Sequence, residues 1–251
     1  MINFAEGNEM GGSITWFGHS TMRLALPDGR VIMIDPWLTD NPACPDDLKT
    51  VDRCDMIFLT HGHFDHIGDV GALVKAHNPV VVGNFELCAA LTKTVGDANY
   101  SPMNTGGTQV VDGVRVSLTQ ALHSSGVDTP QGPMYAGMPN GLVIQADDVC
   151  SVYHAGDTDV FSDMALIKAI YQPTVAILPI GDLFTMGAKG AAIAADLLEP
   201  ACVIPVHYKT FPILAQSADE FHAALSDGMK SRLLVADIGK PLTWDKDGVR
   251  G

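Results

Sequence analysis

Apolar and polar positions along this chain alternate between short β-prone runs and segments with helical spacing. Apolar or alternating runs predict strands at 13–17, 21–25, 31–35, 55–59, 79–82, 108–111, 114–121, 141–145, 149–153, 174–179, 201–206 and 233–236. Helical spacing predicts helices at 65–77, 85–94, 161–171, 189–198 and 218–225. Each half of the chain therefore begins with strands and then alternates strand with helix.

Two halves of this kind predict an α+β fold. Two sheets would pack face to face with helices on both outer sides, as a four-layer αββα sandwich. With 251 residues, of which 47% are apolar, the chain has ample material for one large core. No linker, repeat or low-complexity segment divides it, so we expect a single domain over 1–251.

The turn that follows the predicted strand 55–59 contains the highest concentration of histidine and carboxylate side chains in the sequence. His61, His63, Asp65 and His66 fall within six residues there. Imidazole and carboxylate are the usual ligands of zinc and of related divalent metals. A solvated polar turn is the alternative, but three rings that each need a polar partner once buried favour a metal site. The turn therefore predicts one half of a two-metal hydrolytic centre.

A binuclear site needs about six to eight ligand atoms, so this turn cannot complete it alone. His123, Asp157 and His207 each follow a predicted apolar strand, as His61 does. Loops at strand ends can converge on one site. We therefore expect these three residues to supply the other half.

Charge and cysteine usage narrow the class of protein. Fifteen basic against 29 acidic side chains give a net charge of −14, which argues against nucleic acid and against an anionic membrane surface as partners. Five scattered cysteines without a C-x-x-C pair indicate reduced thiols rather than disulfides or a thiolate zinc site. Residues 1–9 lack the features of a secretory signal, and no apolar run reaches membrane-spanning length. We expect a cytoplasmic enzyme with a small-molecule substrate.

The order H-x-H-x-D-H, then His, then Asp in a Gly-Asp-Thr context, then His resembles the metallo-β-lactamase superfamily. Five further runs resemble the UPF0173 metal-dependent hydrolases, a group related to the L-ascorbate-6-phosphate lactonase-like branch. They are WFGHS at 16–20, IDPWL at 34–38, YHAGDT at 153–158, LPIGDLFTMG at 178–187 and IPVHYKTFP at 204–212. Phe64 occupies a variable place in the motif. Lys209 stands where asparagine is expected, which leaves the substrate contacts beside His207 open.

The resemblance implies a set of metal ligands. His61, His63 and His123 would hold one divalent metal; Asp65, His66 and His207 would hold the second; and Asp157 would bridge both. The cofactors would be two divalent ions per chain, with zinc as the default for such ligands and manganese, iron and nickel left open. A hydroxide bridging the metals would be the nucleophile, and Asp65 would orient it or carry a proton. The lactonase-like branch also implies a homo-oligomer.

Two further polar residues have competing interpretations. Asp35 is a candidate to hydrogen-bond a ligand histidine, because such histidines need a fixed tautomer. Its alternative role is to cap the Asp-Pro turn that begins there. His19, in a Gly-His-Ser turn, is a candidate catalytic residue of the substrate pocket, and its alternative is a hydrogen-bonded structural histidine.

The remaining candidates are mainly structural. Alternation along its strand points His154 away from Asp157, and His77 and His222 need no function. The loop at 182–186 would form a pocket wall, or else an ordinary strand-to-helix connection. The segment 126–141 is a loop and a candidate flap.

A metal-dependent hydrolase that cleaves an ester, lactone, phosphoester or amide is the leading function. A nuclease of the same fold is disfavoured by the negative charge and by the lack of room for a further domain. A di-iron oxidoreductase is disfavoured because the branch it resembles has a carboxylate where this chain has His63. A non-catalytic metal-binding scaffold is disfavoured by the complete ligand set, and β-lactam hydrolysis by the missing secretory signal.

Overall fold

The computed structural model describes residues 11–251, which form sixteen strands and seven α-helices. Residues 1–9, on which the expectation about a secretory signal rests, and the start of the predicted domain lie outside the described residues. The strands are β1 Gly12–Trp16, β2 Met22–Ala25, β3 Val31–Ile34, β4 Met56–Phe58, β5 Val80–Asn84, β6 Asn99–Met103, β7 Thr108–Val111, β8 Val114–Gln120, β9 Gly126–Val127, β10 Met134–Tyr135, β11 Asn140–Gln145, β12 Val152–His154, β13 Val175–Pro179, β14 Cys202–Val206, β15 Leu242–Asp245 and β16 Gly248–Arg250. The helices are α1 Phe64–Ile67, α2 Val70–His77, α3 Phe85–Thr94, α4 Met164–Tyr171, α5 Ala188–Leu198, α6 Asp219–Ala224 and α7 Asp227–Lys230, with a 3₁₀ turn at Asp46–Leu48.

Two large sheets build the fold. The first has the order β16-β15-β1-β2-β3-β4-β5-β6, and the second has the order β14-β13-β12-β11-β8-β7. In the first sheet β3, β4, β5 and β6 run parallel, and in the second β12, β13 and β14 do. The other neighbours in both sheets are antiparallel. This arrangement is the predicted four-layer αββα sandwich.

Strand alternation explains why the first sheet is buried on both faces. In β3, Ile32 and Ile34 join the core between the sheets, whereas Val31 and Met33 join a second core that includes residues of α2 and α3. Successive side chains of a strand point to opposite faces, so a continuously apolar strand supplies both layers. The outer helices α4 and α5 cover the second sheet with small and aliphatic side chains.

The C-terminal ends of the parallel strands meet at one edge of the sandwich, where the two sheets are joined by hydrogen bonds. His207, just after β14, donates its backbone N–H to the carbonyl of His19, just after β1, at 2.9 Å. Asn140 donates its backbone N–H to the carbonyl of Thr60 at 2.9 Å. Loops from both sheets therefore converge at this edge.

Several predicted elements differ from the structure. The helix predicted at 65–77 is interrupted at Asp69, because the backbone N–H of Asp69 bonds the carbonyl of Pro36 and its carboxylate turns to the loop at 38–39. Edge strand β6 was not predicted, and the predicted loop 126–141 contains the β9–β10 hairpin. The strand predicted at 233–236 is wrong, since only one isolated bridge forms there. The chain ends instead in β15 and β16.

In the part of the chain that the structure describes, no helix is long and apolar enough to cross a membrane. The longest of these helices, α5, has 11 residues.

Candidate metal centre

The histidines and carboxylates predicted for the site come together at this edge. The first sheet contributes the turn after β4, and the second contributes the residues that follow β8, β12 and β14. His61, His66, His207 and Asp157 are buried, whereas His63, Asp65 and His123 are partly exposed. The site is therefore open to solvent on one side only.

Three histidines form the first cluster. The Nε2 atom of His61 lies 2.9 Å from Nδ1 of His63, and Nε2 of His123 lies 3.3 Å from the same atom. The other nitrogen of His63, Nε2, is 3.4 Å from the hydroxyl of Ser124. Three ring nitrogens thus face one another at a spacing that suits a shared cation.

The second cluster combines His19, Asp65, His66 and His207, whose candidate ligand atoms lie within 4.8 Å of one another. The Oδ2 atom of Asp65 is 3.0 Å from Nε2 of His19. The prediction did not include His19 among the metal ligands, and the structure places it against this cluster.

Asp157 lies between the two clusters. Its Oδ2 atom is 3.0 Å from Nε2 of His207 and 3.3 Å from Nε2 of His66. The same oxygen lies 3.7 Å from Nε2 of His123 and 3.9 Å from Nε2 of His61. One carboxylate oxygen therefore faces imidazole nitrogens from both clusters.

Asp35 sets the tautomers of two of these rings. His66 donates from Nδ1 to Oδ2 of Asp35 at 2.8 Å, and the hydroxyl of Thr60 donates to the same oxygen at 2.6 Å. Because that hydroxyl proton is committed, His61 donates from Nδ1 to the Thr60 oxygen at 3.0 Å. With Nδ1 of each ring turned to Asp35 or Thr60, Nε2 is the nitrogen that faces Asp157 and that would bind a metal ion. The predicted hydrogen bond between Asp35 and a site histidine is confirmed, with His66 as the donor.

Buried charges shift the pKa values of the site in opposite directions. Burial disfavours the charged form of His66, but Asp157 and Asp35 outweigh it and raise the pKa of this ring well above its usual value. Burial also opposes ionisation of Asp157, yet His207 and His66 hold its pKa well below the usual range. Burial lowers the pKa of His61 well below its usual value. The site thus combines an ionised carboxylate with a position that attracts a cation.

Polar atoms without partners support the same conclusion. Within residues 11–251, Nε2 of His66 and Oδ1 of Asp157 are among the buried side-chain atoms without a hydrogen-bond partner. Buried polar atoms without a partner are costly and rare, so each needs an explanation. Nε2 of His66 and the carboxylate of Asp157 face each other, where a divalent cation would satisfy both. These residues fit divalent metal ions.

His19 is held firmly behind Asp65. Its side chain is 0% exposed, its φ is +52°, and its Nδ1 atom lies 3.0 Å from the hydroxyl of Thr210. Its carbonyl accepts hydrogen bonds from Nε1 of Trp16 and from the backbone N–H of His207. Burial and His207 lower the pKa of His19 to about 4, against the opposing effect of Asp65. Because the neutral ring of His19 has no exposed surface, it acts on the site through its contact with Asp65.

The other three histidines belong to neither cluster. His154 donates from Nε2 to the carbonyl of Ser20 at 3.1 Å and accepts from the N–H of Gly156 at 3.0 Å, as a structural histidine does. The ring of His77 lies 2.9 Å from the carbonyl of Val51. His222 is exposed on α6.

Two loops border the centre. The loop at 182–186 begins beside His207, since a Cβ on Gly181 would come within 2.9 Å of Nδ1 of that ring. Its far end is held by a hydrogen bond from Met186 to the carbonyl of Thr158. The hairpin within 126–141 packs on the histidine turn, where a Cβ on Gly62 would lie 2.9 Å from Ala136.

The sequence prediction missed Thr60 and Thr210, which bond the site histidines. Thr60 directly precedes His61, and Thr210 follows His207 by three residues. Their positions next to candidate ligands were the available signal, but a hydroxyl's partner depends on how the loops fold.

A family model described as a beta-lactamase superfamily domain matches residues 30–208. The match agrees with the sandwich and its edge cluster, and it defines the class of protein. Among curated relatives, the chain is 46% identical over 210 residues to a UPF0173 metal-dependent hydrolase of Koribacter versatilis, covering 84% of this chain and 90% of that protein. It is 44% identical over 231 residues to one of Solibacter usitatus, covering 92% and 99%.

Among solved structures, the chain is similar to Igni18, a metallo hydrolase of the hyperthermophilic archaeon Ignicoccus hospitalis. The identity is 33% and the TM-score 0.82, and the match covers 93% of this chain and 98% of that one. The chain belongs to the UPF0173 metal-dependent hydrolases of the β-lactamase superfamily.

Proposed function

We propose that the chain is a binuclear hydrolase, with two divalent ions per chain, that cleaves an ester, lactone, phosphoester or amide bond of a small molecule. The observation that carries this proposal is the position of Asp157. Its Oδ2 atom lies within 4 Å of imidazole nitrogens from both clusters. Such a carboxylate would offset the repulsion between two adjacent cations.

In this proposal, His61, His63 and His123 would hold one ion, Asp65, His66 and His207 the other, and Asp157 both. When bound, such ions lower the pKa of a coordinated water and polarise the oxygen of the scissile bond. We assign all other roles in the reaction to side chains of the protein.

Asp65 is the residue that we assign to orienting water. His19 holds its Oδ2 atom at 3.0 Å, and the side chain remains 16% exposed, so the carboxylate reaches the open side of the site. Burial works against ionisation, but the hydrogen bond from His19 keeps the pKa of Asp65 far below its usual range. An ionised, fixed carboxylate can accept a hydrogen bond from the attacking water and hold it in one orientation.

The proposal includes zinc as the metal, because histidine with carboxylate is a common zinc ligand set. It also includes a cytoplasmic location, which is supported by five free and buried cysteines at positions 44, 54, 88, 150 and 202. The proposal also includes a homo-oligomeric state, which a measurement of the mass of the protein in solution tests.

A substrate screen tests the proposed function. Metal-reconstituted protein would be assayed on activated esters, lactones, amides and phosphodiesters, with and without chelator. We expect turnover of at least one class that is lost with chelator and restored by added zinc or manganese. Turnover that survives complete removal of metal would contradict the proposal. Asp157→Asn should abolish turnover while the far-ultraviolet circular dichroism stays unchanged.

A further inference from the structure

Three aromatic rings form an apolar surface beside the second cluster. The ring of Trp37 lies 5.8 Å from that of Phe64, edge to face, and 5.9 Å from that of Phe211 at an angle of 33°. Phe64 is 54% exposed and Phe211 is partly exposed, whereas Trp37 is only 3% exposed. We call these three residues the aromatic shelf.

The shelf adjoins the candidate catalytic groups. The ring centre of His19 is 5.2 Å from that of Trp37 and 5.9 Å from that of Phe211. Phe64 lies between His63 and Asp65 in the sequence. A group bound on the shelf would therefore extend from a scissile bond held at the second cluster.

The shelf is also rigid at its base. Trp37 packs against Gly68, and its carbonyl accepts hydrogen bonds from the side chains of Thr21 and Asn41. The buried ring of Trp37 contacts both Phe64 and Phe211, so a fixed Trp37 holds the exposed surfaces of these two rings in a set arrangement. A preformed apolar surface loses little entropy when a ligand packs on it.

The charges near the shelf disfavour an anionic substituent on the substrate. Among residues 11–251, the ion pairs of Asp65 and Asp157 are formed with histidines alone. The nearby cation in sequence, Lys209, lines a separate cleft with Trp16 and Asp237. The net charge of −14 would also repel anions.

We propose that the aromatic shelf binds an uncharged, apolar substituent of the substrate, of aryl or branched alkyl type, and so selects neutral apolar esters, lactones or amides over phosphorylated ones. This inference rests on the proposed function, because the scissile bond is taken to lie at the metal centre. Phe64 and Phe211 are then the specificity-determining residues, and Trp37 is their support.

The test compares two product-like carboxylates, acetate and phenylacetate, which differ by a phenyl group. Their affinities for the metal-reconstituted protein would be measured by calorimetric competition. We expect phenylacetate to bind about tenfold more tightly, since roughly half of a ring's apolar surface would be buried on the shelf. The preference should disappear in a Phe64→Ala/Phe211→Ala protein of unchanged metal content. It should persist in Ile170→Ala, which removes an exposed apolar side chain on α4.

Equal affinities in the unaltered protein, or a preference that survives the double substitution, would overturn the inference. A protein that turns over substrates without any such preference would leave the proposed function standing.

A protein that fails to take up metal would defeat the proposed function, and a neutral probe then tests the shelf separately. Saturation-transfer NMR with benzyl alcohol should show binding that the double substitution removes. A signal that is absent, or that is unchanged by the substitution, would count against the shelf itself.

Discussion

Replacing Asp35 with asparagine should impair the metal centre although Asp35 is not among the proposed ligands. As a carboxylate, it accepts from Nδ1 of His66 and from Thr60, whose oxygen in turn accepts from His61. An amide group in place of Oδ2 can only donate there. His66 would then have to accept at Nδ1, and the Thr60 hydroxyl would turn to donate to His61. Both rings would carry their proton on Nε2, the atom that faces Asp157.

The size of this effect follows from the number of ligands affected. Loss of an outer partner of a metal-bound histidine lowers metal affinity by about 10- to 100-fold. Two rings are reoriented here, so we expect a loss of at least about 100-fold, or about 3 kcal/mol of binding free energy. The free energy of unfolding of the metal-free protein should also fall by about 2 kcal/mol, because a buried charged hydrogen-bond acceptor is lost.

Competition with a chromophoric chelator measures the metal affinity, and thermal unfolding measures the stability. Asp69→Asn is the matched control. Asp69 is also a buried carboxylate in this region, but it accepts from the backbone of Leu38 and Thr39 rather than from a histidine. The Asp69→Asn substitution should lower the free energy of unfolding and leave the metal affinity nearly unchanged. Affinity of Asp35→Asn within threefold of the unaltered protein would refute the tautomer argument.

Two other predictions concern residues around the proposed ligands. Thr210→Val removes the hydrogen-bond partner of Nδ1 of His19, so kcat should fall about tenfold in steady-state assays. Thr210→Ser, which keeps the hydroxyl, should retain the original kcat. An unchanged kcat in Thr210→Val would exclude a positioning role for Thr210. The metal-free protein should lose stability as the pH falls below about 6.5, because burial lowers the pKa of His19, His61 and His154 and the unfolded chain then binds more protons. His19, with a pKa of about 4, contributes about 2 kcal/mol of this loss at pH 5. The raised pKa of His66 acts at higher pH, where it adds stability as the pH falls toward 6.5, and it changes little below that value. Thermal unfolding between pH 6.5 and 5 measures the trend, and a stability that is constant or that rises as the pH falls over this range would contradict it.

Local pattern predicted the elements that lie next to the site, because those elements are strongly apolar. Strands β3, β4, β13 and β14 are apolar along their length, so their positions and the residues that follow them were visible in the sequence. The Asp35 bond to His66 could be anticipated because ligand histidines need outer partners. Shared placement at strand ends was therefore enough to assemble the seven side chains.

Elements defined by distant pairing were not predictable in this way. Strand β15 pairs with β1, more than 200 residues earlier in the chain, and β6 is a polar edge strand that contains Pro102. β6 has no apolar pattern that exceeds that of a loop, and the alternation of β15 extends over only four residues. The position of His19 likewise depends on bonds to Asp65 and Thr210 across the fold, so the sequence could not distinguish a pocket residue from one buried behind the site.

The metal content per chain tests the binuclear centre most directly. Elemental analysis after reconstitution with zinc, and in parallel with manganese, should give two equivalents per chain for the unaltered protein. His63→Ala, which removes one of the three rings of the first cluster, should give one equivalent or less. One equivalent or less in the unaltered protein with each metal, or two equivalents retained in His63→Ala, would contradict the centre described here.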